Sequence, residues 1–420
     1  MKKKLMSLVL AGAMTASLLA GCGAGSDTGS AAEETTATEA EDASEETAEA
    51  EDASEETAEA ATETADGATL KIGGVGPLTG GAAVYGMAVK NGAQIAIDEI
   101  NAEGGINGMQ IEYKFEDDEC DAEKSVNAYN TLKDWDVQVL MGAVTSACSI
   151  AVSDKTAADN VFQLTPSGSA VECVQTDNAF RVCFSDPNQG IASAQYIGEN
   201  GLAEKVAVIY DSSDVYSTGI YEKFVAEAEN QPFEVVAAGA FTADNKTDFS
   251  VQLQQAKDAG ADLVFLPIYY TEASLILTQA SSMGFDTQFF GCDGLDGILG
   301  VENFDTALAE GVMLLTPFAA DAADEKTQNF VSKYNEAYGE TPNQFAADAY
   351  DAIYVIKAAA EQAGVSADMS ASDICEALKT AMTEITVDGL TGEGITWDAS
   401  GEPTKAPKAV KITDGAYTAM

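Results

Sequence analysis

Three consecutive stretches decide the fold: Thr69-Leu-Lys-Ile-Gly-Gly-Val75, residues 84–102, and residues 110–115. The first is a largely apolar run of strand length. The second carries Val89, Ala93, Ala96, Ile97 and Ile100 at helical spacing, and Gly104-Gly105 stops it. The third returns to a strand. A helix at 122–134 and strands at 137–141 and 161–164 continue the alternation. After about residue 187 the pattern restarts. Strands at 205–210, 234–238, 262–266 and 288–290 flank helices at 219–229, 249–259 and 272–283. Strands separated by helices of roughly 10–15 residues form βαβ units and parallel sheets, so two such series predict an α/β chain with two doubly wound lobes.

Outward from this body, the N-terminus has its own logic. Lys2, Lys3 and Lys4 precede an uncharged apolar segment that ends in Leu19-Ala20-Gly21-Cys22. The segment is shorter than the ~20 residues that span a bilayer, and its flanks suit a secretory signal. Small residues before a Cys form the pattern at which bacterial lipoproteins are cleaved. Cys22 is therefore the expected lipidation site and residues 1–21 the leader. Residues 22–67 read as an acidic, disordered tether: Ala, Glu, Thr, Ser, Asp and Gly dominate, and EDASEETAEA occurs twice, at 41–50 and 51–60. Such a segment buries too little apolar surface to offset its ordering entropy. As a coil it would reach roughly 35–40 Å, more with self-repulsion.

Sixteen of the 69 acidic residues lie in the tether, leaving 53 in the body against 18 bases. That surface repels phosphate backbones, so nucleic acid is not an expected partner. No histidine occurs, which removes Ser-His-Asp and Cys-His catalysis and the commonest transition-metal ligand. None of the six remaining cysteines, Cys120, Cys148, Cys173, Cys183, Cys292 and Cys375, forms a Cys-x-x-Cys pair, so no metal site is signalled. Cys120–Cys148 and Cys173–Cys183 are candidate disulfides, with buried free thiols as the alternative. Gly74-Val-Gly76 lacks the third glycine of a dinucleotide loop and no Gly-Lys-Ser/Thr follows, so no cofactor is expected.

In open α/β sheets, ligands sit at the carboxyl ends of strands beside helix N-termini. Thr145-Ser146 and Ser167-Gly168-Ser169 occupy such positions on neighbouring strands. Their hydroxyls suit an anion, and equally well suit N-capping. Asp293, between glycines at a strand end, suits an ammonium or an exposed turn. Tyr85, Tyr216 and Tyr269 also follow strands and offer an apolar face with a polar tip.

A set of motifs in consistent order resembles the leucine/isoleucine/valine-binding proteins of ABC importers. These are Tyr85-Gly with Asn91-Gly-Ala, Ile100-Asn-Ala-Glu-Gly-Gly-Ile-Asn-Gly108, Glu116-Asp-Asp-Glu-Cys-Asp121, Thr165-Pro166, Phe180-Arg181, Asp186-Pro-Asn-Gln-Gly190, Tyr216-Ser-Thr-Gly219 and Gly389-Leu-Thr-Gly-x-Gly394. The resemblance implies a clamshell of the type I periplasmic-binding-protein kind with three crossovers, near 186–189, 316–320 and 394–401. The lobes would be 68–187 with 319–395, and 188–318 with 396–420. It further implies an extracytoplasmic, lipid-anchored solute-binding protein, not an enzyme. Such a protein closes on a free amino acid and delivers it to ABC permease subunits. Ser146, Ser167 and Ser169 match positions that hold the ligand carboxylate, and Tyr216 and Asp293 match second-lobe groups that engage the ligand, Asp293 taking the ammonium. Tyr85, Tyr269 and Phe345 match the side-chain wall. Two departures stand out. The family's acid at 293 is often Glu, and its first-lobe disulfide joins positions matching Cys120 and Thr145, with the second Cys here moved to Cys148. A short amide or urea is the alternative ligand. A sensor ectodomain ranks below both.

Overall fold

In the computed structural model, which describes residues 67–420, the first series builds a sheet from β1 (Thr69–Gly76), β2 (Gln110–Asp117), β3 (Val139–Gly142), β4 (Phe162–Thr165) and β5 (Ala179–Arg181). All its neighbours are parallel, in the order β2-β1-β3-β4-β5. The crossovers include α1 (Ala83–Ala102), α2 (Ala122–Asp134) and α3 (Ser146–Asp159). Asp121 starts α2 by accepting from the Glu123 and Lys124 amides, both at 2.9 Å, a cap worth about 1 kcal/mol. β3 and β4 are buried along their whole length; β3 accordingly reads as a continuous apolar run, while the polar Gln163 and Thr165 of β4 are hydrogen-bonded, to Thr156 and Ser149 and to the Ala143 carbonyl.

The second sheet runs β12-β11-β10-β9-β8-β6-β7. Its parallel part comprises β6 (Lys205–Asp211), β7 (Glu234–Phe241), β8 (Leu263–Leu266), β9 (Gln288–Gly291) and β10 (Met313–Thr316). Around it lie α4 (Asp186–Glu199), α5 (Val215–Ala228), α6 (Ser250–Asp258) and α7 (Tyr270–Ser282). An antiparallel hairpin of β11 (Lys408–Thr413) and β12 (Ala416–Ala419) closes one edge. Asp414 and Gly415 turn it with φ of 52° and 74°, the double positive φ of a tight hairpin turn. Three more helices, α8 (Glu325–Tyr338), α9 (Gln344–Ala363) and α10 (Ala371–Met382), return to the first sheet's side, where α9 packs along α1 and α10 packs on β4.

Between the two sheets the chain passes three times. The first passage spans residues 182–185, because α4 already starts at Asp186 and packs on α5 of the second lobe. The second follows β10. The third begins later than the expected 394–401. Trp397 Nε1 donates to the Arg181 carbonyl at 2.7 Å, and Gly401 O accepts from the Arg181 amide at 3.2 Å. Lys405 Nζ then reaches Val182 O at 3.0 Å and Asp348 Oδ1 at 2.6 Å. Residues 397–405 are thus bound to the first lobe, and the crossing lies between Lys405 and β11. Gly401 has no room for a side chain, since a Cβ there would stand 2.5 Å from the Ala179 carbonyl.

Among the described residues no helix is long and apolar enough to cross a membrane, and no cluster of three or more metal-ligating side chains occurs. The leader, Cys22 and all but the last residue of the tether lie outside the described residues.

Candidate functional site

Each sheet has a point where the strand order reverses: between β1 and β3 in the first, between β6 and β8 in the second. The loops leaving the carboxyl ends of these strands converge on one cavity of about 240 Å³. From the first lobe come Tyr85 on α1, Val144 to Ser146 entering α3, Ser167 and Ser169 after β4, and Phe345 at the start of α9. From the second come Tyr216 on α5, Tyr269 before α7, and Asp293-Gly294 after β9. All eight side chains singled out in the sequence as ligand-facing therefore line the same space. Two roomier hollows, of about 1020 and 1650 Å³, lie elsewhere, one at the amino end of β1 beside Lys71, the other beside Met87. Neither gathers the strand-end loops.

The first-lobe wall is stapled loop to loop. Ser146 Oγ accepts from the amides of Ser169 at 3.2 Å and Ala170 at 3.1 Å, so its own proton stays available. Ser167 Oγ donates to Val144 O at 2.7 Å, which leaves it as an acceptor and positioner. Ser146 is the first residue of α3, so the first amides of that helix lack intrahelical partners and carry the positive end of its dipole. The capping alternative fails in its simple form: Thr145 is the N-cap, yet its side chain makes no capping bond.

Opposite stands Asp293, buried at 4 % exposure. Tyr216 donates to its Oδ1 at 2.7 Å and Gln189 Nε2 to its Oδ2 at 3.0 Å. Gln189 Oε1 also accepts from the Asp293 amide, and the Tyr216 hydroxyl accepts from the Gly294 amide. That close approach requires glycine at 294, where a Cβ would meet the Tyr216 oxygen at 2.6 Å. No cation pairs with Asp293 among the described residues. Burial pushes its carboxyl up to about 7, against the pull of Tyr216 and Gln189. A second acid, Asp186, is 1 % exposed with neither carboxylate oxygen hydrogen-bonded, and its amide donates to Ser169 O at 2.9 Å. Burial raises it well above the carboxylate range, and Asp293 reinforces the shift.

Aromatic rings form the remaining wall. The ring centroid of Tyr85 lies 4.3 Å from that of Phe345 and 5.5 Å from that of Tyr269, and Tyr269 stacks on Tyr216 at 5.0 Å. The Tyr85 hydroxyl is fully used: it donates to Gly294 O at 2.5 Å and accepts from the Tyr270 amide at 3.2 Å. These bonds join the lobes, as do Thr271 Oγ1 to Gly81 O at 2.6 Å and the Gln344 amide to Asp296 Oδ2 at 2.8 Å. The lobes are closed on each other.

Gln189 and Asp186 were not singled out in the sequence. Both lie in Asp186-Pro-Asn-Gln-Gly190, at the first passage between lobes, and that place in the topology is the signal that could have found them. All six body cysteines are free thiols, with Cys120 Sγ 3.6 Å from Thr145 Oγ1 and Cys173 Sγ 3.6 Å from Ser146 O.

A family model described as periplasmic binding protein matches residues 69–416. The chain belongs to this family. Periplasmic binding proteins are solute-carrying transport components and not enzymes. This one is 30% identical over 341 residues to the Leu/Ile/Val-binding protein BraC3 of Rhizobium johnstonii, covering 80% of this chain and 90% of that one. It superimposes on the branched-chain amino acid transporter substrate-binding protein LivJ of Streptococcus pneumoniae, solved with isoleucine. The TM-score is 0.76 at 30% identity, covering 84% of this chain and 98% of that one. A solute-binding protein of R. palustris, solved with benzoate, shares the fold at a TM-score of 0.74 and 19% identity, over 84% and 95% of the two chains. The periplasmic-binding-protein fold, with two α/β lobes and the cavity between them, thus accounts for the whole described chain.

Proposed function

We propose that this protein captures a free aliphatic amino acid, branched-chain or similar, by lobe closure, and delivers it to the permease of an ABC importer while tethered to the cell membrane through Cys22. The observation that carries the reading is Asp293: a buried carboxylate held by two neutral donors, facing the cavity without a cation. A carboxylate left so needs a positive partner, and a ligand ammonium supplies one. Across the cavity the Ser146 hydroxyl, Ser169 and the start of α3 suit the ligand carboxylate. Tyr85, Tyr269 and Phe345 face the remainder with rings, and the Tyr85 hydroxyl is already engaged, which favours an apolar side chain. A ligand with a carboxylate alone, such as benzoate, would meet the buried Asp293 unrelieved. The relatives' names agree with the amino-acid reading.

A thermal-shift screen tests it. At a free concentration 1,000 times Kd, a ligand that binds only the folded state stabilises it by about 4 kcal/mol. Leucine, isoleucine and valine should raise Tm clearly, while benzoate, short amides and urea should not. A shift with amides and none with amino acids would overturn the reading. We propose further that Cys120 and Cys148, free thiols in the structure, pair when the protein is oxidised, which leaves four of the six body cysteines alkylatable under denaturing conditions. Six alkylated cysteines would refute that pairing.

A further inference from the structure

Arg181 is the only arginine in the chain, and it is completely buried at the end of β5. Its guanidinium joins two segments far apart in sequence. Nη1 donates to the Gly168 carbonyl at 3.1 Å, and Nη2 lies 3.0 Å from Glu402 Oε1. Gly168 stands between Ser167 and Ser169, the two serines of the cavity wall. The other side of the same loop is held too, because the Gly168 amide donates to Thr165 Oγ1 at 2.8 Å. Glu402 belongs to the segment leading into the third passage between lobes. Its neighbour Gly401 accepts from the Arg181 amide, and Lys405, three residues on, grips the first passage at Val182.

We propose that Arg181 is a positioning residue that ties the ligand-facing loop 167–169 to the third interlobe passage through Glu402, so that ligand affinity depends on this link. A fully buried charge is retained only where its partners are well placed, and here those partners are one ligand-loop carbonyl and one crossover carboxylate. The planar guanidinium reaches both at fixed separation, through a hydrogen bond from Nη1 to Gly168 and an ion pair without hydrogen-bond geometry between Nη2 and Glu402. A lysine ammonium is a point charge on a flexible stem and cannot reproduce the span. Glu402 lies in the 397–405 segment fixed to the first lobe, so through it the Gly168 peptide, and with it Ser169, is held in place while the lobes rotate about their three connections, the third of which begins beyond Lys405. The inference rests on the amino-acid reading above for its ligand, though not for its geometry.

Two variants of the full-length protein test it. Glu402→Gln removes the charge at the partly exposed end, where folding should survive, and Arg181→Lys keeps a cation but breaks the fork. In calorimetric titrations with L-leucine both should raise Kd about tenfold, with the double variant no weaker than Arg181→Lys alone, since one link is broken once. In ligand-free Glu402→Gln, amide hydrogen exchange over 167–169 should quicken about fivefold while the unfolding temperature stays within about 2 °C of wild type. A merely structural arginine would lower the unfolding temperature and leave the Kd alone. A wild-type leucine Kd in folded Glu402→Gln overturns the proposal, whatever the exchange shows. If the wild type itself ignores leucine, isoleucine and valine, the ligand reading falls. The exchange arm then decides the link: faster exchange supports it and unchanged exchange overturns it.

Discussion

Replacing Asp293 by Asn is expected to weaken leucine binding by about 3–4 kcal/mol, roughly 100- to 1,000-fold in Kd, without destabilising the protein. The amide keeps the shape of the carboxylate and its Oδ1 can still accept from Tyr216, so the side chain stays anchored, while its Nδ2 faces the Gln189 Nε2 donor and forfeits that one bond. It cannot balance an ammonium, and the ligand's charge would enter a cavity whose lining, among the described residues, holds no other acid. The stability side has a definite sign. Burial holds the folded Asp293 carboxyl at about 7, above the ordinary aspartate value of about 3.9. Ionising it therefore opposes folding, and this penalty grows as pH rises from about 4 to 7. Asn removes it, so at pH 8 the ligand-free variant should unfold at the wild-type temperature or above. Loss of binding together with a clear fall in unfolding temperature would mean that Asp293 is a structural group and not the ammonium acceptor.

The second large effect is pH dependence. The bound ammonium needs the ionised carboxylate, whereas in the empty protein a proton competes with it up to about pH 7. Calorimetric Kd should then rise about tenfold per unit below pH 7, and roughly fifty-fold between pH 7 and 5. Above pH 8 it should stay level until the ligand's own amine loses its proton. Asp293→Asn should show little of this slope. The ligand-free protein should respond in the opposite direction. Asp296, Asp214 and Asp348 are also raised by burial, to about 7, 6 and 6. Each binds a proton more tightly folded than unfolded, so acidification from pH 8 to 5 raises unfolding temperature while it weakens leucine binding. A flat Kd across pH 5–8 would show that no buried carboxylate meets the ligand's charge.

The doubly wound lobes were legible because central strands such as β3, β8 and β10 are buried along their whole length and the helices carry clear stops. Residues 122–134 form α2 as expected, since Asp121 caps one end and the helix halts at Trp135. β5 was not legible: three residues, Ala-Phe-Arg, carry no period. The β11–β12 hairpin hid behind the expectation of parallel pairing, although Asp414-Gly415 is the turn dipeptide that permits it. At the site, residue types at strand ends brought Ser146, Ser169, Tyr216 and Asp293 into view. What they do to one another was not visible. Ser167 donates to Val144 O only because two loops meet, and Gln189 clamps Asp293 only because α4 begins immediately after the first passage. The third passage was placed too early because nothing local says that residues 397–405 lie along β5. That contact depends on Trp397 and Gly401 meeting Arg181 across more than 200 residues.

The central claim is that the cavity binds an amino acid through its ammonium as well as its carboxylate. The most direct measurement is a calorimetric cycle with leucine and 4-methylpentanoate, the same skeleton without the amine, against wild type and Asp293→Asn. Wild type should bind leucine at least 100-fold more tightly than 4-methylpentanoate, and the preference should shrink to within about tenfold in the variant. Equal affinity of the wild type for the two ligands would contradict the account.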